Sequence, residues 1–232
     1  MTDVEYLSRL SAIEIYAEIL LGILRYTNVK TYNDEQKYKA ELTKRLKFEK
    51  QTDSELYRSC IDLIEDTQYA INEVFENGLI TKSNHQGEMY LRLYGVLNAY
   101  YLQLGAIIDL MKLFNLKNQK EIIKNLKSSK IIETRNKIAS HTTSYNVPNS
   151  NKEIDFFKLA QSTLSKWGNG ILIVGKESTE EIDLIPIMQI FTKEIENILE
   201  EIIKKELFSR TFKKESFEWL EFRYNFIKLK KI

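Results

Sequence analysis

The sequence predicts an all-α fold organised on one long central helix, with a small β element inserted late in the chain. Two observations point to it. Glycine and proline are scarce, at 8 and 2 of 232 residues, which leaves few helix breakers. Leucine, isoleucine and tyrosine recur at intervals of three and four over most of the length, the spacing of one buried helical face, and that period lapses only around residues 154–184.

Thr2-Asp3 offers an N-cap for a first helix reaching about Tyr26, with Leu10, Ile13, Ala17, Leu20 and Leu24 on one face. A polar break at 31–34 precedes a charged helix to about Lys50, and a further helix runs from Thr52-Asp53 to Asn77-Gly78, where glycine suits a left-handed cap. Residues 88–114 form the central helix. One stripe holds Tyr90, Tyr94, Leu97, Tyr101, Leu104, Ile108 and Met111, and a second holds Leu93, Val96, Tyr100, Ile107, Leu110 and Phe114. A helix apolar on two faces is expected to be covered on both sides, with Gly95 and Gly105 permitting close packing. The tyrosines read as core residues whose hydroxyls reach the rim in preference to the alternative, a base-stacking platform.

Two short helices follow, at about 117–127 and 130–140, and then an exposed loop over 142–152. Residues 156–165 and 170–176, split by Trp167-Gly168-Asn169-Gly170, read as a β-hairpin, with a third short strand at 182–184. A last long helix opens at Ile185-Pro186. The segment 212–229 is amphipathic, and its exposed-looking aromatics suggest docking on a partner subunit. The organisation expected is one domain over 1–232, with a β-hairpin insertion at about 154–184 and C-terminal helices over 185–230.

Cys60 is the only cysteine, so no intramolecular disulfide and no cysteine zinc site can form; its helical neighbours Leu56, Leu63 and Ile64 make it a small core residue. Two histidines and no His-Glu-x-x-His pattern leave little support for a catalytic transition metal, a magnesium site made from carboxylates stays open, and no cofactor is expected. No apolar run approaches the roughly 18–20 residues that span a bilayer, and no secretory signal pattern is present. A cytoplasmic protein without a membrane partner is expected.

The net charge of +1 hides a local asymmetry. Lys112, Lys117, Lys120, Lys124, Lys127, Lys130, Arg135 and Lys137 are opposed only by Glu121 and Glu133, a local charge of about +6. Such a field attracts phosphates and polyanions. It leads into Arg135-Asn136-Lys137-Ile138-Ala139-Ser140-His141. An arginine holds a phosphate through two parallel hydrogen bonds, and a histidine moves a proton near neutral pH. Six residues at about 100° each leave Arg135 and His141 about 120° apart around a helix, so convergence needs the helix to end near Ser140. With RNA as substrate, His141 would take the 2′-hydroxyl proton while Arg135 stabilises the phosphorane. One histidine cannot also protonate the leaving oxygen, so a two-fold mate supplying a second His141 would complete the set. His85, just before the central helix, reads as a helix-entry residue.

The segment from Glu133 to His141 resembles the signature of HEPN-domain proteins: an arginine, commonly followed by a polar residue such as asparagine, then a histidine after four to six intervening residues. Here the five intervening residues are Asn136 to Ser140. The long helix before it and the late helix after it also resemble that family's helical bundle, to which the hairpin would be an elaboration. The resemblance implies a metal-independent endoribonuclease of a toxin–antitoxin or antiphage defence system, acting as a homodimer. Arg135 and His141 would be its catalytic pair, Asn136 the supporting polar residue, and Lys127, Lys130 and Lys137 contacts to RNA. An antitoxin or another defence-system protein would be a partner. The alternative is a non-catalytic dimeric module of the same fold that grips RNA or a nucleotide through Arg135. Some members carry a tyrosine two residues after the histidine that an antitoxin nucleotidyltransferase modifies. Here Thr143 holds that position and the nearest tyrosine is Tyr145, so the resemblance does not extend to that control.

Overall fold

The computed structural model describes residues 2–27, 34–82, 85–140, 145–146 and 154–230. Most of them are helical, in agreement with the expected class. The helices are α1 (Asp3–Arg9), α2 (Ala12–Tyr26), α3 (Glu35–Leu46), α4 (Asp53–Asn77), α5 (Gln86–Leu113), α6 (Gln119–Lys127), α7 (Lys130–Arg135), α8 (Leu184–Ser209) and α9 (Lys214–Lys230). A π-helical turn, Asn136–Ser140, continues α7. The strands are β1 (Tyr145–Asn146), β2 (Ile154–Asp155), β3 (Lys158–Leu159), β4 (Ile171–Val174) and β5 (Thr179–Ile182).

Local chemistry sets the boundaries. Thr2 and Glu5 form a capping box at the start of α1. The single helix expected as far as Tyr26 is instead two. Ser11 Oγ accepts from Glu14 N–H at 3.3 Å while the Glu14 carboxylate accepts from Ser11 N–H at 2.7 Å. This second capping box restarts the chain as α2 and leaves Leu10 extended. Lys47, left-handed at φ 59°, stops α3 short of the expected Lys50. Gly78 ends α4 at φ +72°, as its position suggested. Asn115 and Asn118 also take positive φ, which delays α6 to Gln119.

The chain divides into two compact units, to both of which α4, α5 and α8 contribute. The first comprises Met1–Gln68, Gly105–Gln119 and Ile195–Ile232. In it Phe48, Tyr57 and Phe114 meet edge to face, with centroids 5.2–5.9 Å apart. The buried Tyr57 hydroxyl donates to the Leu20 carbonyl at 2.7 Å. Cys60 is buried, and burial pushes its thiol up to about 12. Helix α9 packs on α2 at Gly22, where an added Cβ would come within 2.7 Å of Leu220 and 2.8 Å of Trp219. Arg223 lies over the Trp219 ring at 3.6 Å and donates to Glu18 at 2.9 Å. The Lys230 amine donates to the Leu7, Ser8 and Leu10 carbonyls at the end of α1. Leu220, Tyr224 and Ile227 are thus buried within the chain's own core, a correction to the expectation that this segment leaves that core uncovered, while Phe222 and Leu229 stay exposed.

The second unit comprises Tyr69–Leu104 and Lys120–Glu194. Tyr100 is fully buried; its hydroxyl lies 2.8 Å from Thr192 Oγ1, and its ring meets Phe191 at 5.5 Å. The expected hairpin is a three-stranded antiparallel sheet in the order β3-β4-β5, pairing Leu159 with Ile173 and Ile171 with Ile182. Its regular hairpin is β4–β5. The segment 156–165 supplies only a two-residue strand, because the chain turns into a 3-10 helix at Gln161–Thr163. The third strand lies at Thr179–Ile182, and Leu184 already begins α8. Much of the expected loop at 142–152 lies outside the described residues; β1 pairs with β2 across it.

Only one stripe of α5 is covered throughout. Leu93, Val96, Tyr100, Ile107, Leu110 and Phe114 are buried, whereas Leu91, Tyr94, Tyr101 and Leu102 are exposed. An added Cβ at Gly95 or Gly105 meets nothing within 4 Å, so neither glycine serves close packing as expected. Gly78 behaves oppositely: its Cβ would collide with the Lys166 carbonyl, which accepts from Leu79 N–H at 2.6 Å. Gly78→Ala should therefore lower stability by about 1–3 kcal/mol, from left-handed strain plus that collision. Gly95→Ala should raise it by about 0.5–1 kcal/mol through helix propensity alone. Urea unfolding midpoints of the two variants check both signs.

Candidate functional site

Arg135 closes α7, and its side chain crosses to α5 within the second unit. The guanidinium carbon stands 3.9 Å from the centre of the Tyr101 ring. Arg135 Nε donates to Asn98 Oδ1 at 3.3 Å, and Nη1 donates to Asn136 Oδ1 at 3.1 Å. Asn98 is oriented in turn, its Nδ2 donating to the Tyr94 carbonyl one turn back at 2.8 Å. The cation is thus held over an aromatic ring with two of its nitrogens engaged. Among the described residues its Nη2 has no partner, which leaves a charged N–H donor for a phosphate oxygen.

Asn98 and Tyr101 reach the same place because they are three residues apart on α5, about 60° around the helix. Tyr100, on the opposite side from Asn98, is the buried anchor that turns them outward. Tyr101 keeps 44% of its surface exposed despite the arginine on its ring, so a stripe read as core is in part a platform. Asn98 was not singled out from the sequence. Its signal was available: it is the one side chain with an amide or charge between Arg92 and Gln103.

Of the expected catalytic set, Arg135 and Asn136 are joined, whereas His141 lies outside the described residues. So does Thr143. Ser140 is the last residue of the π turn. His85 is exposed at the entry to α5, where its carbonyl accepts from Glu88 and Met89 N–H, as expected of a helix-entry residue.

The lysines expected to touch RNA separate into two kinds. Lys127 is exposed, as are Lys117, Lys120 and Lys124. Lys137 instead binds Glu133 at 2.5 Å and Glu180 at 2.6 Å, and Lys130 pairs with the same two carboxylates. Burial alone would raise the Glu133 carboxyl, but the hydrogen bond and charge of Lys137, then those of Lys130, hold it below the usual carboxylate range. Glu180 comes from β5, 43 residues beyond Lys137, and so was absent from a local charge count. The basic field is weaker beside Arg135 than the sequence suggested, while the lysines of α6 stay exposed.

No group of three or more histidine, cysteine or carboxylate side chains among the described residues is placed to hold a metal ion. No described helix is long and apolar enough to cross a membrane. Comparison with models of protein families, with curated proteins and with solved structures finds no match.

Asn98→Ala should cost about 1 kcal/mol, since the Arg135 Nε–H is half-buried and loses its acceptor. A double-mutant cycle between Arg135→Ala and Tyr101→Leu should give a coupling of about 0.5–1 kcal/mol from chemical denaturation. A coupling of zero would remove the cation–ring contact from the site.

Proposed function

We propose that the chain is a metal-independent endoribonuclease of the HEPN type, a helical bundle serving as effector of a toxin or antiphage defence system. The observation that carries this reading is the Arg135 guanidinium, immobilised by Asn98, Asn136 and the Tyr101 ring six residues before His141. A cation fixed in advance loses little on meeting the extra charge of a pentacoordinate phosphorus, which is where electrostatic catalysis gains most.

The reaction balances within two copies of the chain. One His141, neutral, takes the proton of the RNA 2′-hydroxyl, and the 2′-oxygen bonds to the adjacent phosphorus. The bond from phosphorus to the 5′-oxygen breaks, and the second copy's His141, protonated, gives that oxygen its proton. The products are a 2′,3′-cyclic phosphate and a 5′-hydroxyl. Arg135 neutralises the non-bridging oxygens as charge accumulates. Support for a second copy comes from the uncovered face of α5, where Leu91, Tyr94, Tyr101 and Leu102 stand exposed around the open Gly95. The exposed lysines of α6 with Lys127 would guide RNA toward the site.

The decisive experiment incubates the purified chain with RNA in EDTA and maps the ends. Wild type should yield 2′,3′-cyclic phosphates. His141→Ala should lower the rate about 10²–10⁴-fold, and Arg135→Ala about 100-fold or more. Cleavage that survives in His141→Ala overturns the mechanism. RNA that is bound through Arg135 but never cut identifies the chain as a non-catalytic binding module of the same fold.

A further inference from the structure

The first unit holds a groove of about 440 Å³ between the last turn of α2, α3 and the first half of α4. That volume lies within the roughly 300–1,000 Å³ typical of small-molecule sites. Its apolar floor includes Leu24 and Leu42, both almost fully buried.

Two arginines line it, Arg25 from α2 and Arg58 from α4. Of the other six arginines, Arg45, Arg92, Arg135, Arg210 and Arg223 each hold an acceptor and Arg9, at the end of α1, holds none among the described residues. Arg25 and Arg58 have none among the described residues, although carboxylates line the same groove. Two of these, Glu35 and Glu55, are held by Lys39 at 2.8 and 2.5 Å. The hydrogen bond and charge of Lys39 also keep the exposed Glu35 carboxyl below its ordinary range. The third, Asp62, is four residues after Arg58 on α4, a spacing at which opposite charges commonly pair. Here they remain apart, each without a partner among the described residues. Tyr38 of α3, 39% exposed, adds an aromatic ring to the wall.

We propose that this groove binds a free ribonucleoside phosphate. Two unpaired guanidinium forks suit a phosphate, which each can hold through parallel hydrogen bonds. An unpaired carboxylate suits the two ribose hydroxyls, which are donors a phosphate cannot replace. A half-exposed tyrosine ring suits the base by stacking. Arg25 and Arg58 receive the phosphate, Asp62 the ribose diol and Tyr38 the base. The site is separate from Arg135 and independent of whether the chain cuts RNA.

Isothermal titration of the full-length chain with the four ribonucleoside mono- and triphosphates, their 2′-deoxy counterparts and inorganic phosphate tests this. At least one ribonucleotide should bind with a dissociation constant of about 100 µM or tighter, and inorganic phosphate at least about tenfold more weakly. Arg25→Ala and Arg58→Ala should each weaken binding about tenfold or more, as expected for loss of a charged hydrogen bond. Both side chains are exposed, so the urea unfolding midpoint of the unliganded variants should not move. The ribose form should bind several-fold tighter than the deoxy form, and Asp62→Asn should narrow that difference. The losses caused by Arg25→Ala and Arg58→Ala should be the same in an Arg135→Ala background, which separates this groove from any phosphate held at Arg135. The proposal is overturned if no ribonucleotide binds below about 5 mM, if the arginine variants bind like wild type, or if inorganic phosphate binds as tightly as the nucleotides.

Discussion

Burial of one stripe of α5 determines where the rest of the second unit can act. Tyr100 is held by Thr192 and Phe191, and Leu93 and Val96 share its side of the helix. Two positions along an α-helix are about 200° around it, so locking Tyr100 inward turns Asn98 outward. Tyr101 lies about 60° from Asn98, close enough for one planar cation to touch both. Arg135 crosses from α7 to do so. Its geometry therefore derives from the packing of a residue it never touches, and a change at Tyr100 would be felt at the guanidinium as a rotation of its seat.

Electrostatics around that seat are less one-sided than the run of lysines suggests. A count along the chain treats Lys130 and Lys137 as free charges, but β5 delivers Glu180 to both of them, and Glu133 closes the cluster. Four charges knitted together contribute mainly local order to the join between α7 and the sheet. The exposed cations are displaced onto α6 and its end at Lys127. On the proposed function, attraction of a polyanion and recognition of one phosphate would be tasks of different residues: an exposed, solvated set for the first, and one fixed arginine for the second.

Much of this was legible in the sequence where the cause is local. The end of α4 at Gly78, the extent of α5 and the burial of Cys60 follow from a cap, a period and an apolar neighbourhood. The break between α1 and α2 was equally local, in Ser11 and Glu14, but the apolar spacing of Leu10 and Ile13 runs straight across it and masks the cap. The features missed are tertiary. Asn98 acquires its role only when α7 arrives, and Glu180 only when the sheet folds. The tyrosine stripe misled because periodicity reports which residues share a face and not whether a neighbour covers it. Gly95 lies open to solvent, whereas Gly22, with nothing unusual around it in sequence, sits under Trp219 and Leu220 of α9.

The π turn after Arg135 has its own consequence. Each of its bonds spans five residues where an α-helix spans four, so the turn takes up one residue more without advancing the helix by a full step. Residue count and azimuth are thereby uncoupled across Asn136–Ser140. Deleting one residue there would let the backbone relax to ordinary winding while the chain leaving the turn keeps nearly the same angular heading. The segment works as a slack link: chain length beside Arg135 can vary by a residue without turning later positions out of phase.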